Sequence, residues 1–239
     1  MVDLLAKSDV ELAVAKIKPN VVIHLAAIAF VADGDIANMY ASNIMGSRNL
    51  LEALASLDYI VDSIVLASTA NLYNAADGQI ITEKTPVSPS NDYGVSKLAM
   101  ELIANIWRDR LPITIVRPFN YTGVDQSLRF VIPKIVDHFS RNEKSIELGN
   151  LNVYRDFSDV RMVAEVYSKI IDKGISGEVL NICSGNTYTL ADILSRMASI
   201  CGYEIRVVVN PEFVRSNEIE RLSGSQDKLI EVLGPITNY

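Results

Sequence analysis

Three continuous apolar runs of strand length set the frame of this chain: PNVVIHLAA (19–27), SIVLAST (63–69) and ITIVRP (113–118). Runs of this kind, with no polar alternation, are the signature of strands buried on both faces of a sheet. Segments with helical spacing separate them. SDVELAVAKIK (8–18) begins with Ser8 and Glu11 in capping-box spacing, a helix is predicted over 36–57, another near 92–109, and a long one over 128–140. Strands alternating with helices specify βα units and a parallel sheet. The predicted fold is therefore α/β, a doubly wound, Rossmann-like parallel sheet whose ligands bind beyond the carboxyl ends of the strands.

Between residues 69 and 92 the pattern gives a polar loop with a turn at Asp77-Gly78. After about residue 140 the elements shorten: SIELG, RDFSDVRMVAEVYSKII, GEVLNICSG and TLADILSRMASI. The expected organisation is a dinucleotide-binding domain over 1–140 and a smaller α/β substrate-binding lobe over 141–239, partly interleaved. None of the twelve glycines forms a G-x-G-x-x-G or G-x-x-G-x-x-G turn. The sheet is thus expected to be N-terminally truncated, the chain starting inside a longer fold of this class.

Composition narrows the partners. A formal charge of −7 over 239 residues argues against nucleic acid or an anionic membrane as the main partner, while a local arginine cluster can still hold phosphate. The longest apolar run, VVIHLAAIAFVA (21–32), is too short to span a bilayer. Cys183 and Cys201 lie far apart in apolar segments, so a reducing cytoplasmic setting without disulfides is expected. With only His24 and His138, no zinc site is expected.

The chemistry concentrates around Tyr93. Thr69 ends the second strand, and Tyr93 and Lys97 open the helix two elements later. Strand ends and helix starts gather at one rim of such a sheet, and positions i and i+4 share a helix face. An adjacent ammonium is expected to lower the tyrosine pKa, so that the phenol can transfer the proton that accompanies hydride transfer at a carbinol carbon. Thr69 is placed to hydrogen-bond the same oxygen. By itself Y-x-x-x-K is a weak motif, and an exposed aromatic lying along a lysine stem is its commoner meaning.

The surrounding motifs decide between these meanings. VVIHLAA, NIMGSRNLLEA (43–53), ASTANLYN (67–74), YGVSK (93–97), VRPFNYTG (116–123), YRDFSDV (154–160), NICSG (181–185) and RLSGSQDKL (221–229) occur in order. Together they resemble the extended short-chain dehydrogenase/reductases, the NAD-dependent epimerase/dehydratase family that acts on sugar nucleotides. The wording is closest to the branch that reduces GDP-4-keto-6-deoxy-D-mannose. The resemblance implies a Thr69–Tyr93–Lys97 triad, NAD(P)H as cofactor, and a cofactor site that includes Ala26, Ala27, Asn43, Ser68 and Pro118 as well as Tyr93 and Lys97. It implies sugar-nucleotide contacts from Thr69, Asn71, Asn120, Arg155 and Arg221, and a homodimer formed through the 36–57 and 92–109 helices.

Dehydratases of the family carry glutamate two residues after the catalytic threonine. Here that residue is Asn71, an amide that cannot act as a base at neutral pH. Reduction is expected, with 4-epimerisation of a UDP- or GDP-sugar, or a binding role without catalysis, as alternatives. Arg117, Asp156 and Asp159 read as structural, Asp159 as a helix N-cap. His24 reads as a buried, hydrogen-bonded side chain, and Asn43 serves equally well as a dinucleotide contact or a loop support.

Overall fold

The computed structural model describes residues 2–29, 35–74, 78–213, 220–237 and 239. The three apolar runs form β1 (Val21–His24), β2 (Ser63–Ala67) and β4 (Ile113–Pro118), and a fourth strand, β8 (Val179–Ile182), joins them. Their order is β1-β2-β4-β8 and every pairing is parallel, so all four carboxyl ends meet at one rim.

Side-chain alternation divides the core between the two faces of this sheet. Ile64, Leu66, Ile113 and Ile115 pack against Val10 and Val14 of α1 (Lys7–Ile17), Leu51 and Leu54 of α3 (Ser47–Ala55), and Met100 and Ala104 of α4 (Asp92–Trp107). On the opposite face, Val65, Val116, Leu180 and Ile182 meet α6 (Val160–Asp172) and α8 (Asp227–Leu233). The expected doubly wound architecture is what forms.

The helix predicted over 36–57 runs as α2 (Ile36–Tyr40), a π-helical stretch (Ala41–Gly46) and α3. No capping box forms at Ser8. Helix α1 starts at Lys7 with Ala6 as its uncapped N-cap, which leaves Ser8 inside the first turn; the Asp3–Ala6 turn, with Ala6 N–H bonded to the Asp3 carbonyl, delivers the chain there instead. The segment near 128 is likewise shorter than predicted, with α5 spanning Val131–Ser140. Asp77 of the predicted turn lies outside the described residues.

A second sheet orders β3 (Ile80–Ile81), β11 (Arg221–Gly224), β7 (Tyr154–Asp159) and β5 (Asn120–Thr122), with β9 (Thr187–Tyr188) antiparallel to β7. A third core joins α5, β6 (Ser145–Leu148), α7 (Leu190–Cys201) and β10 (Arg206–Val209) through Ile135, Phe139, Ile146, Leu148 and Leu194. The segments interleave: β8 returns to the first sheet, while β3 and β5 belong to the second.

Helix α4 is seated tightly at its N-terminal end. Asn91 caps it by accepting the Gly94 N–H at 2.8 Å. A Cβ at Gly94 would lie 2.7 Å from the Asn71 carbonyl oxygen and 2.8 Å from Pro89 Cβ. Only a hydrogen at this position lets the helix press against the 3₁₀ turn Ala70–Leu72 that follows β2. We expect Gly94→Ala to lower stability by about 1–3 kcal/mol through overpacking, read as a reduced melting temperature. An unchanged melting temperature would show that the turn yields freely.

Candidate active site

The ends of β2 and β4, with β11, build one cleft at the sheet rim. Thr69, Ala70 and Asn71 come from the end of β2 and the turn behind it; Pro118, Phe119 and Asn120 come from the end of β4, and Leu222 from β11. The cleft is partly open, with a volume of about 60 Å³. Thr69 is buried, extended in backbone, and accepts the Asn71 N–H at 3.2 Å. The Tyr93 phenol lies close enough for the Thr69 hydroxyl to oppose the rise in its pKa. Two of the three expected catalytic groups are therefore neighbours.

Lys97 lies one helical turn further along α4 and is only 2% exposed. Among the described residues its ammonium has no hydrogen-bonded or ion-paired acceptor. Burial pushes its pKa down to about 8, with Glu101 pulling in the opposite direction. His24 is buried, with Nε2 2.8 Å from Ser47 Oγ. Burial, helped by the charge on Lys97, holds the His24 pKa at about 4, so the imidazole is neutral at physiological pH.

The electrostatics of Tyr93 differ from the sequence expectation. Burial pushes its pKa up to about 12; Tyr121 adds to the rise, and the Thr69 hydroxyl opposes it. Lys97 does not lower it. The charges that Lys97 feels and exerts are those of Glu101 and His24. Spacing of i and i+4 fixes a shared face but not the reach of a four-carbon stem, and desolvation of the phenolate outweighs what remains.

The remaining expected residues divide into three groups. Asn71, Pro118 and Asn120 line the cleft with Thr69. Ala26 and Ala27 are exposed just beyond β1, at the same rim. Ser68 is buried with no partner for its hydroxyl among the described residues. Asn43, in the π-helical stretch, is a loop support: its Oδ1 accepts the Ile28 N–H at 2.8 Å, and its Nδ2 donates to the Ile28 carbonyl and to Ser96 Oγ, each at 3.0 Å.

Arg155 and Arg221 do not line the cleft. They lie on adjacent strands of the second sheet, around Tyr154: Arg155 donates to its carbonyl at 2.9 Å, and the Arg221 guanidinium stacks 3.7 Å from its ring centroid while donating to Thr187 Oγ1. Asp159 caps α6 through the Arg161 N–H. Asp156 is fully buried and accepts from Ser184 and Gly185.

Arg117 has the structural role expected of it, but sequence reasoning missed its partners beneath α4. Arg117, at the end of β4, donates to both oxygens of Glu101, Nε to Oε1 at 2.9 Å and Nη2 to Oε2 at 2.6 Å, and to the Tyr73 hydroxyl at 2.8 Å. Tyr73 in turn donates to Asn181 Oδ1 at 2.8 Å. The available signal was Glu101, a carboxylate at i+4 from Lys97 on a helix face that is otherwise core. Tyr121 and Tyr167, whose charges couple to that of Tyr93, were also missed.

This arrangement can be set beside known proteins. The sequence model described as GDP-mannose 4,6 dehydratase matches residues 1–235. The chain belongs to that family. It is 35% identical to the GDP-6-deoxy-D-talose 4-dehydrogenase of Aggregatibacter actinomycetemcomitans, over 97% of this chain and 79% of the relative. It is 30% identical to the GDP-6-deoxy-D-mannose reductase of Pseudomonas aeruginosa, over 90% of this chain and 74% of that one. Among solved structures, a candidate epimerase from Burkholderia cenocepacia J2315 superposes with a TM-score of 0.93 at 47% identity, covering 100% of this chain and 77% of its own. RMD from Pseudomonas aeruginosa, complexed with NADPH, gives 0.88 at 28%, covering 98% and 81%. The fold is thus that of the extended short-chain dehydrogenase/reductases. No helix among the described residues is long and apolar enough to cross a membrane.

The burial of Lys97 sets a pH-dependent expectation. Its folded pKa lies below the unfolded value, so between about pH 8 and the ordinary lysine value of 10.5 the unfolded chain binds more protons and stability rises with pH. Lys97→Met is expected to exceed the parent in stability at pH 7 by about 3 kcal/mol, an advantage that shrinks as pH rises through this window. Denaturant melts across pH 7–10 measure it; a constant difference would show that Lys97 is not titrating there.

Proposed function

We propose that this protein is an NAD(P)-dependent oxidoreductase that reduces C4 of a GDP-linked 4-keto-6-deoxyhexose. The observation that carries the reading is the placement of Tyr93 beside Thr69, together with a buried Lys97 whose ammonium has no protein acceptor among the described residues. Two relatives support the substrate class, since GDP-6-deoxy-D-talose and GDP-6-deoxy-D-mannose are the sugars in their names. These two sugars differ only in configuration at C4, and both are reached by reducing one 4-keto sugar.

Among the described residues Ser68 holds a buried hydroxyl with no partner and Lys97 a buried ammonium with no protein acceptor, which suits both to the ribose end of the cofactor. When bound, the reduced dinucleotide supplies the hydride. Tyr93 delivers the proton to the oxygen at C4, and Thr69 orients that oxygen through its own hydroxyl. A phenol near 12 is fully protonated at neutral pH and is thus in the correct state to donate. Lys97 would hold the ribose hydroxyls of the bound dinucleotide through its ammonium. Ala26, Ala27 and Pro118 border the nicotinamide, and Asn43 holds the loop beside them.

Asn71 and Asn120 hydrogen-bond the sugar, while Arg155 and Arg221 hold the diphosphate, a role suited to guanidinium geometry. Because Asn71 cannot remove a proton from C5, we assign no dehydration to this site. The smaller lobe, mainly residues 141–239, is read as the substrate side. Exposed Met45, Leu102 and Ile106 on the 36–55 and α4 helices suit a homodimer interface.

The test is incubation of the chain with GDP-4-keto-6-deoxymannose and NADPH or NADH. Stoichiometric loss of reduced dinucleotide is expected, and proton NMR of the product reads the configuration at C4. Tyr93→Phe should lower turnover by about 10²- to 10⁴-fold with sugar-nucleotide affinity little changed. Interconversion of C4 epimers without net consumption of dinucleotide would make the protein an epimerase. Turnover that survives in Tyr93→Phe would remove Tyr93 as the acid.

A further inference from the structure

The Arg117–Glu101 pair lies directly behind Lys97. Glu101 follows Lys97 by one helical turn, a spacing at which lysine and glutamate normally pair. They do not pair here. Both carboxylate oxygens of Glu101 are taken by Arg117, and the side chains of that pair are 6% and 9% exposed. Arg117 is itself held by the Tyr73 hydroxyl, and Tyr73 by Asn181, its neighbour across β8. The guanidinium also lies 5.1 Å from the Tyr73 ring centroid. Three residues, Arg117 of β4, Asn181 of β8 and Tyr73 of the loop after β2, thus fix the Glu101 carboxylate that lies one turn from Lys97.

We propose that Arg117 is a positioning residue for Lys97: by occupying both oxygens of Glu101 it withholds that carboxylate from the lysine and leaves the ammonium without a protein acceptor among the described residues. The groups facing this cluster are few. His24 of β1 and Glu101 of α4 couple to Lys97, Tyr73 lies against Arg117, and Tyr121 of β5 and Tyr167 of α6 surround the phenol of Tyr93. Burial holds His24 neutral, and Glu83 lies at the far end of the network, where it accepts the Asn181 N–H at 2.7 Å; Glu101 is the carboxylate that couples to Lys97. A lysine left without an anion in a buried site is held with a depressed pKa, which agrees with its value of about 8.

The proposal deepens the role given to Lys97 above and depends on that role only where turnover is read. Its direct test follows Lys97 by NMR of ¹³Cε-lysine-labelled protein, the resonance assigned with Lys97→Arg. In Arg117→Met, Glu101 is released to pair with Lys97, and the lysine titration should move up by about one unit or more. In Glu101→Gln the anion is gone and the titration should move down. A residue with a merely structural role would not shift Lys97 in opposite directions in the two variants.

Turnover adds a second arm. Arg117→Met should lose about 10- to 100-fold, and adding Glu101→Gln to it should restore part of that loss, because the competing carboxylate is removed. Removing one partner of a buried pair is costly, so thermal melts accompany each variant. If Arg117→Met does not fold, Glu101→Gln alone decides through the downward shift. A Lys97 titration that stays fixed in the folded variants overturns the proposal. Shifts in the expected directions, with turnover indifferent to Lys97, would uphold the positioning and sink the catalytic reading instead.

Discussion

The seating of α4 against the turn after β2 governs the rest of the site. Tyr93 and Lys97 belong to the helix, Thr69 to the strand end, and neither element can bring all three together alone. Contact is possible because Gly94 has no side chain where the Asn71 carbonyl passes. Asn91 satisfies the first free N–H of the helix at that point. Further along the same helix, Glu101 is locked to Arg117 at the end of β4. The helix is pinned near its start and again two turns on, with the reactive side chains between the pins.

That placement leaves a site that is dry and poor in charge. Tyr93, Lys97 and His24 all shift in the direction that disfavours their charged forms, and burial is the first cause in each case. A protonated phenol matches the needs of a carbonyl reduction, in which the acid must give a proton as hydride arrives. The reverse reaction needs the phenolate, and among the described residues Thr69 alone offsets that charge. The resting electrostatics therefore favour reduction over oxidation.

Most of the scaffold was legible in the sequence, because buried parallel strands leave unbroken apolar runs. PNVVIHLAA, SIVLAST and ITIVRP became β1, β2 and β4, and YGVSK opened a helix as expected. Local signals were less dependable. Ser8 and Glu11 have capping-box spacing, but the Asp3–Ala6 turn starts the helix earlier. A working capping box appears instead at Thr189 and Asp192, at the start of α7. The π-helical stretch that aims Asn43 at Ile28 has no pattern in the residues themselves.

The site was legible as a set of positions and not as an electrostatic arrangement. Motif order located Thr69, Tyr93 and Lys97, but Lys97 was expected to acidify the phenol, and burial reverses the sign. Depth in the fold, which a periodicity cannot report, decides that balance. The most direct measurement is a titration of ¹³Cζ-labelled tyrosine in the parent chain and in Thr69→Val. The account predicts that Tyr93 titrates near 12 in the parent and higher still when the threonine hydroxyl is removed. A Tyr93 that titrates near 10 and ignores the substitution would place the phenol in water, apart from Thr69, and would contradict the site described here.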